Sequence, residues 1–244
     1  MILSERKLEI IGYINTPFRD KFGIPRQSGM AEDIISTITF TQKFRNPDAL
    51  RGLEGFSHIW VLWEFSEFKR EKWSPTVRPP RLGGNKRMGV FATRSPNRPN
   101  SIGLSCLKLV KIVTDNANGP VITVSGADML NGTPIFDIKP YIPFTDSRPE
   151  ALSGFTEEYK DYKLKVEFST DLKNLVNENE LDAIVEILSL DPRPSYQNSK
   201  DRIYGVSLFD YNIKFTVDNG TLTVCDIEKE NKNHFKLGEI NNEN

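Results

Sequence analysis

Six short segments before residue 145 alternate apolar and polar residues or are rich in β-branched ones, and turn formers separate them. They are Ile34 to Phe40, His58 to Phe65, Met88 to Thr93, Leu104 to Val113, Val121 to Val124 and Ile135 to Ile142. No long helical period lies between them, which argues against alternating strands and helices. A closed or nearly closed β structure is predicted instead. One short helix is expected from Asn46, an N-cap followed by Pro47 at the first helical position, ending near Gly52 or Gly55.

The texture changes after Pro143. Residues 144–154 are polar and turn-rich, and beyond them Tyr162, Leu164, Val166 and Phe168 alternate with charged residues as a half-buried strand. Asn177 and Glu180 read as a capping box for an amphipathic helix carrying Leu181, Ile184, Val185 and Leu188. That helix stops at Asp191-Pro192-Arg193-Pro194. A hairpin follows, Tyr211 to Val217 and Leu222 to Cys225 around Asp218-Asn219-Gly220, and the last residues read as a frayed tail. The chain is therefore expected to be mainly β, with a barrel over 1–148 and a small α+β domain over 149–244.

Composition narrows the class of protein. With 38% hydrophobic and 27% charged residues among 244, no apolar run approaches the roughly 18 residues of a membrane span. The opening MILSERKLEIIGYI carries charges where a secretory signal needs an apolar core, so a cytoplasmic location is expected. Cys106 and Cys225 lie far apart in apolar surroundings and read as reduced core residues. Besides them only His58 and His234 are available, so no Cys/His metal constellation can be assembled.

Charge concentrates in one stretch. From Lys69 to Arg98 there are nine basic residues (69, 70, 72, 78, 81, 86, 87, 94, 98) against Glu71 alone, a local +8 in a chain of net charge −1. A polyanionic partner held at one place is expected. Signatures of phosphate-binding loops, dinucleotide folds, nucleophile elbows and zinc proteases are absent.

The remaining clusters suit ligand binding. Ile24-Pro25-Arg26-Gln27-Ser28-Gly29 offers stiffened donors, and Arg94 to Gly103 (RSPNRPNSIG) offers two guanidinium forks on a proline-braced loop. Gly126 to Pro134 (GADMLNGTP) reads as a tight turn after a strand, either a plain hairpin turn or a ligand-lining one, with Asn131-Gly132 suited to positive φ. Asp137 and Lys139 read equally as a charge pair between strands. His58 reads as a structural imidazole or a general base, and Trp60, Trp63 and Phe65 as core or as stacking surface.

Taken together, LEGFSHIWVLWEF, TVRPPRLGG, MGVFATRSPNRPNSIGLS, GADMLNGTPIFDIKPYIP and DPRP with RIYGV resemble the TrmO (YaeB/TsaA) family of tRNA adenine N6-methyltransferases over about residues 8–217. The resemblance implies a β-barrel, rather than a Rossmann sheet, that binds S-adenosylmethionine, with a smaller C-terminal domain that assists tRNA binding. It implies a homodimer acting on the anticodon stem-loop, at N6-threonylcarbamoyladenosine 3′ of the anticodon in tRNAs reading ACN codons. Carried over by motif, the cofactor contacts are Pro25, Arg26, Gln27, Arg94, Leu104, Asp128, Met129, Leu130 and Asn131. Arg26 or Arg94 would pair with the methionine carboxylate, Asp128 would hold the ribose or adenine, and Leu104 and Met129 would cover apolar faces.

Where relatives carry His-Gln after the FSHxW strand, this chain has Ser66-Glu67, which are assigned to the same place. Arg78, Arg81, Lys86, Arg87 and Arg98 are assigned to the tRNA backbone. The implied reaction is a displacement at a sulfonium methyl by the N6 nitrogen, driven mostly by positioning, with no catalytic group identified. Asp137, Tyr141 and His58 are candidates for assistance. Two rival readings are a non-catalytic RNA-binding barrel and an S-adenosylmethionine-binding regulator without an RNA substrate.

Overall fold

Alternation puts one side of each strand in an apolar interior, and hydrogen bonds between edge strands close the sheet. In the computed structural model, which describes residues 7–68, 73–79, 82, 86–193, 199–200 and 202–230, that sheet is a barrel. Its strands are β1 (Gly12–Asn15), β2 (Ile35–Phe40) and β3 (His58–Glu64), followed after the two-residue β4 (Thr76–Val77) and β5 (Met88–Gly89) by β6 (Ile102–Val113), β7 (Val121–Ser125) and β8 (Thr133–Pro140). The closed order is β1-β2-β7-β6-β3-β8, every pair antiparallel. Ile14, Ile38, Ile59, Val61, Leu107, Ile122, Val124 and Ile135 fill the interior.

Two departures from the sequence reading are local. Residues 88–93 form a two-residue strand and a 3-10 turn (Val90–Ala92) rather than a barrel strand, and β1 takes the sixth place. The four residues of β1 are too short a pattern to stand out. The expected helix after Asn46 is a 3-10 turn, Pro47–Leu50, whose cap holds: Asn46 Oδ1 accepts from the Asp48 N–H at 3.0 Å.

After the short helix α1 (Pro143–Asp146), the second unit consists of β9 (Lys165–Glu167), α2 (Thr170–Lys173), α3 (Glu178–Ser189), β10 (Tyr204–Leu208), β11 (Tyr211–Asp218) and β12 (Thr221–Lys229). Its sheet order is β10-β11-β12-β9, with β9 parallel to β12. Ala183, Ile184, Ile187 and Leu188 of α3 pack on Ile213, Phe215 and Leu222. The hairpin turns at Asn219 (φ 46°) and Gly220 (φ 76°), the pairing of positive dihedrals that matches strand twist.

At the start of α3 the expected capping box is not closed. Asn177 Oδ1 accepts from Asn179 N–H at 3.0 Å, but the Asn177 N–H donates to the Tyr211 hydroxyl at 3.0 Å instead of to Glu180. Tertiary packing supplied a better partner than the local one. The expected frayed tail lies outside the described residues.

The loop between β1 and β2 belongs to both units. Phe18, Ala31 and Ile34 lie in the second core, Phe18 bridges Leu208, and the Phe209 N–H donates to the Pro17 carbonyl at 3.2 Å. Arg19 pairs with Asp210. Both cysteines are free thiols, Cys106 half-buried and Cys225 exposed. The core reading of Cys225 fails because it occupies an outward position of β12.

Candidate functional site

Every loop singled out for ligand binding emerges at one mouth of the barrel. β1, β3 and β7 end there, and β2, β6 and β8 begin there, so residues 16–34, 65–68, 94–101 and 126–132 are brought to the same rim. Backbone bonds lock two of them together: the Gly29 N–H donates to the Gly126 carbonyl at 2.9 Å. Gly126 takes φ 79°, and a Cβ there would approach the Gly29 backbone to 3.1 Å. Ser28 Oγ accepts from the Cys106 N–H at 3.2 Å, tying the same loop to β6.

The 24–29 loop and the arginine loop meet through side chains. Pro25 is buried, Arg26 and Gln27 are half-buried, and Gln27 Oε1 accepts from exposed Arg94. Arg26 reaches the second unit, donating to the Asp191 carbonyl at 3.4 Å. Asp191 itself has φ 58° and a buried ion pair with Arg193 (2.7 and 2.8 Å), and its Oδ2 accepts from the Tyr162 hydroxyl at 3.0 Å. Burial raises the Asp191 carboxyl, but Arg193 and Tyr162 more than offset that and hold it below its usual range. The Asp-Pro-Arg segment thus stands behind Arg26.

Asp128 lies half-buried on the 126–132 turn at this mouth. Trp63 Nε1 donates to the buried Ser105 hydroxyl at 2.9 Å, and Ser105 Oγ donates to Asp128 Oδ1 at 2.5 Å. Burial pushes the Asp128 carboxyl up to about 6, against opposing contributions from Ser105, nearby backbone N–H groups and the Arg94 charge. The indole can lie so deep because Gly103 faces it: a Cβ at 103 would stand 2.2 Å from Trp63 Cε2. Gly103 closes the Arg94–Gly103 segment already singled out for ligand binding, whereas Ser105 and Trp63 were missed as parts of the site, although their alternation into the barrel was visible in the strand pattern.

The turn after β7 is held from the rim. The Thr16 hydroxyl donates to the Met129 carbonyl and Asn131 Oδ1 accepts from the Thr16 N–H, both at 3.0 Å. Of the pair Asn131-Gly132, Gly132 takes a positive φ (78°) and Asn131 does not. Met129 is fully buried in the barrel core, so its side chain does not cover an open face, while Leu130 is half-buried. Leu104 points to the outer face of β6, 55% exposed, because it neighbours inward Ser105. Ser66 and Glu67 are exposed on a 3-10 turn at the same rim.

The three candidates for assistance are not brought to this mouth. The Tyr141 N–H donates to the His58 carbonyl, and the two rings meet edge-on at 6.2 Å. His58 starts β3, five residues from Trp63, about 17 Å along the strand. Asp137 lines a cavity of about 600 Å³ with Phe40, Phe44, Leu50 and Phe56 and pairs with Lys139 along its own strand at 2.8 Å, not between strands. Trp60 is half-buried and donates to Asp146, whereas Trp63 is core.

Among the expected tRNA contacts, Arg78, Lys86 and Arg87 are exposed on or beside the β4–β5 hairpin, with Arg87 donating to Thr76 Oγ1 at 3.1 Å. Arg98 instead turns into its own loop, donating to the Thr93 carbonyl at 3.0 Å and the Ser95 carbonyl at 3.4 Å. Arg81 lies outside the described residues. In the same loop the Asn97 Oδ1 is buried without a hydrogen-bond donor. Among the described residues, no cluster of three or more His, Cys, Asp or Glu could hold a metal ion, and no helix is long and apolar enough to cross a membrane.

An exposed guanidinium, a carboxylate at the mouth and an orphaned acceptor are the polar complement of an amino acid joined to a nucleoside. Such a set fits S-adenosylmethionine by its donors and acceptors. A protein of Escherichia coli named tRNA (adenine(37)-N6)-methyltransferase is 37% identical over 234 residues, covering 93% of this chain and 99% of its own. A Pseudomonas aeruginosa protein named as an S-adenosylmethionine-dependent methyltransferase is 38% identical over 211 residues, 83% of this chain and 89% of its own. A crystal structure of TrmO from Pseudomonas aeruginosa superposes with TM-score 0.76 at 31% identity, covering 93% of this chain and 98% of that one. Family models for the tRNA-methyltransferase O N-terminal domain and the TrmO C-terminal domain match residues 13–147 and 161–230. The chain therefore belongs to the tRNA-methyltransferase O family.

Proposed function

We propose that the chain methylates the N6 nitrogen of adenosine 37 in tRNA, with S-adenosylmethionine as methyl donor. The substrate we assign is N6-threonylcarbamoyladenosine, 3′ of the anticodon, in tRNAs reading ACN codons. The observation that carries this reading is the convergence of Arg26, Gln27, Arg94 and Asp128 on one barrel mouth beside a basic hairpin.

S-adenosylmethionine supplies an electrophilic methyl group on a sulfonium. Arg94 or Arg26 would take its carboxylate, and Asp128 would accept from a ribose hydroxyl or the adenine amino group. Leu130 would offer an apolar contact, and Asn131 and the orphaned Asn97 acceptor would add polar ones. The chain's own contribution is positioning: the interlocked 24–29 and 126–132 loops hold donors rigidly, which lowers the entropic part of the barrier. Residues 1–148 would form the methyltransferase domain, and 149–244 would assist tRNA binding. Arg78, Lys86 and Arg87 would contact phosphates of the anticodon stem-loop, and the enzyme would act as a cytoplasmic homodimer.

Transfer of labelled methyl to an anticodon stem-loop, with and without the threonylcarbamoyl group, tests the assignment. Incorporation only into the modified loop is expected. Equal incorporation into plain adenosine would remove the assigned substrate, and no incorporation with intact cofactor binding would favour a regulator.

A further inference from the structure

Among the described residues, Trp73 and Phe91 belong to neither hydrophobic core. Trp73 is 53% and Phe91 73% exposed, yet their rings stack with centroids 6.3 Å apart and an interplanar angle of 28°. Stacking covers part of each ring, and the aromatic surface left exposed is available to a partner. Their backbone is firmly placed: Thr76 pairs with Gly89, Val77 pairs with Met88, and the Val90 N–H donates to the Pro75 carbonyl at 2.9 Å. Val90, beside Phe91, is 1% exposed and anchors the turn.

The same hairpin carries exposed Arg78, Lys86 and Arg87. Aromatic faces interleaved with cations are the chemistry that grips single-stranded nucleic acid, bases on the rings and phosphates on the cations. Phe91 is three residues from Arg94, so their Cα atoms are at most about 11 Å apart. A base stacked on Phe91 is thus next to the mouth where Asp128 and Arg94 meet.

We propose that Trp73 and Phe91 form a stacking platform for unpaired bases of the anticodon loop, presenting the neighbouring adenosine to the barrel mouth. The platform rests on the reading of the chain as a tRNA methyltransferase and names residues through which it would hold its RNA. A second copy of the chain is the competing occupant of these rings.

The test uses the full-length protein with Trp73→Ala, Phe91→Ala and the conservative Trp73→Phe. Affinity is measured for an anticodon stem-loop and for a fully paired duplex of equal length, together with S-adenosylmethionine affinity and solution mass. Each alanine variant is expected to weaken stem-loop binding about 5- to 100-fold. Trp73→Phe should retain most of the affinity, and duplex binding, cofactor binding and mass should stay unchanged. Unaltered stem-loop affinity, an equal loss on the duplex, or a change in mass would overturn the platform. If the alanine variants behave as stated but the wild type transfers no methyl group, the platform stands and the methyltransferase reading falls.

Discussion

Ser105 donates its hydroxyl proton to Asp128 across 2.5 Å while receiving the indole N–H of Trp63 on its other side. The bond favours the ionised carboxylate, and burial opposes it, which leaves Asp128 near 6. Ionised Asp128 can accept from a ribose hydroxyl or an amino group; protonated Asp128 loses that capacity on one oxygen.

Affinity for S-adenosylmethionine is therefore expected to fall as pH drops through about 6. Ser105→Ala removes an influence that lowers the carboxyl, so its midpoint should lie at higher pH than that of the wild type. Calorimetric titrations between about pH 5 and 8, an interval of roughly three units that spans the raised value, would show the displacement. Coincident midpoints would mean that Ser105 does not govern Asp128.

Gly103→Ala places a methyl group 2.2 Å from Trp63 Cε2 inside a closed barrel. Overpacking of this kind costs about 1–3 kcal/mol. Thermal unfolding should report that loss, and the displaced indole should take Ser105 with it, so cofactor affinity should drop as well. Stability and affinity equal to the wild type would show that the indole moves aside freely.

Arg193→Ala leaves the Asp191 carboxylate buried without its cation, a loss of about 3–5 kcal/mol. Because the Asp191 carbonyl receives Arg26 at 3.4 Å, the change should also weaken S-adenosylmethionine binding from the far side of the domain junction. Unfolding curves and calorimetry on the same sample separate the two effects. A folded variant with undiminished cofactor affinity would show that the second unit does not brace Arg26.

Lys86→Glu and Arg87→Glu reverse two exposed charges that take no part in the Trp63-Ser105-Asp128 hydrogen bonds. Each should weaken tRNA binding and reduce the slope of log affinity against log salt by about 1, with cofactor affinity unchanged. Salt titrations by fluorescence anisotropy check this. A slope that does not change would move the RNA contact elsewhere.

Strand alternation made the barrel legible, because interior positions such as Ile59, Val61 and Trp63 repeat every second residue. β1 was not legible, since four residues carry too little pattern, and Met88 to Thr93 looked like a strand although Pro75 holds Val90 in a turn instead. The ligand loops could be recognised individually by their Arg, Gln, Asp and Gly residues. Their convergence depends on which barrel mouth each strand ends at, a property of sheet order that local sequence does not carry. For the same reason His58, Asp137 and Tyr141 read as candidates beside the site, while Ser105, hidden in an apolar strand, did not. Arg98 shows a further limit: its charge suggested RNA, but two loop carbonyls claim it.

On the proposed reading, this chain places the N6-methyl group on N6-threonylcarbamoyladenosine of tRNA. Mass spectrometry of nucleosides from tRNA of cells lacking the protein tests it most directly. The expected result is N6-threonylcarbamoyladenosine without its methyl group, and recovery of the methylated nucleoside when purified protein and S-adenosylmethionine are added. Methylated nucleoside at the normal level in cells without the protein would contradict it.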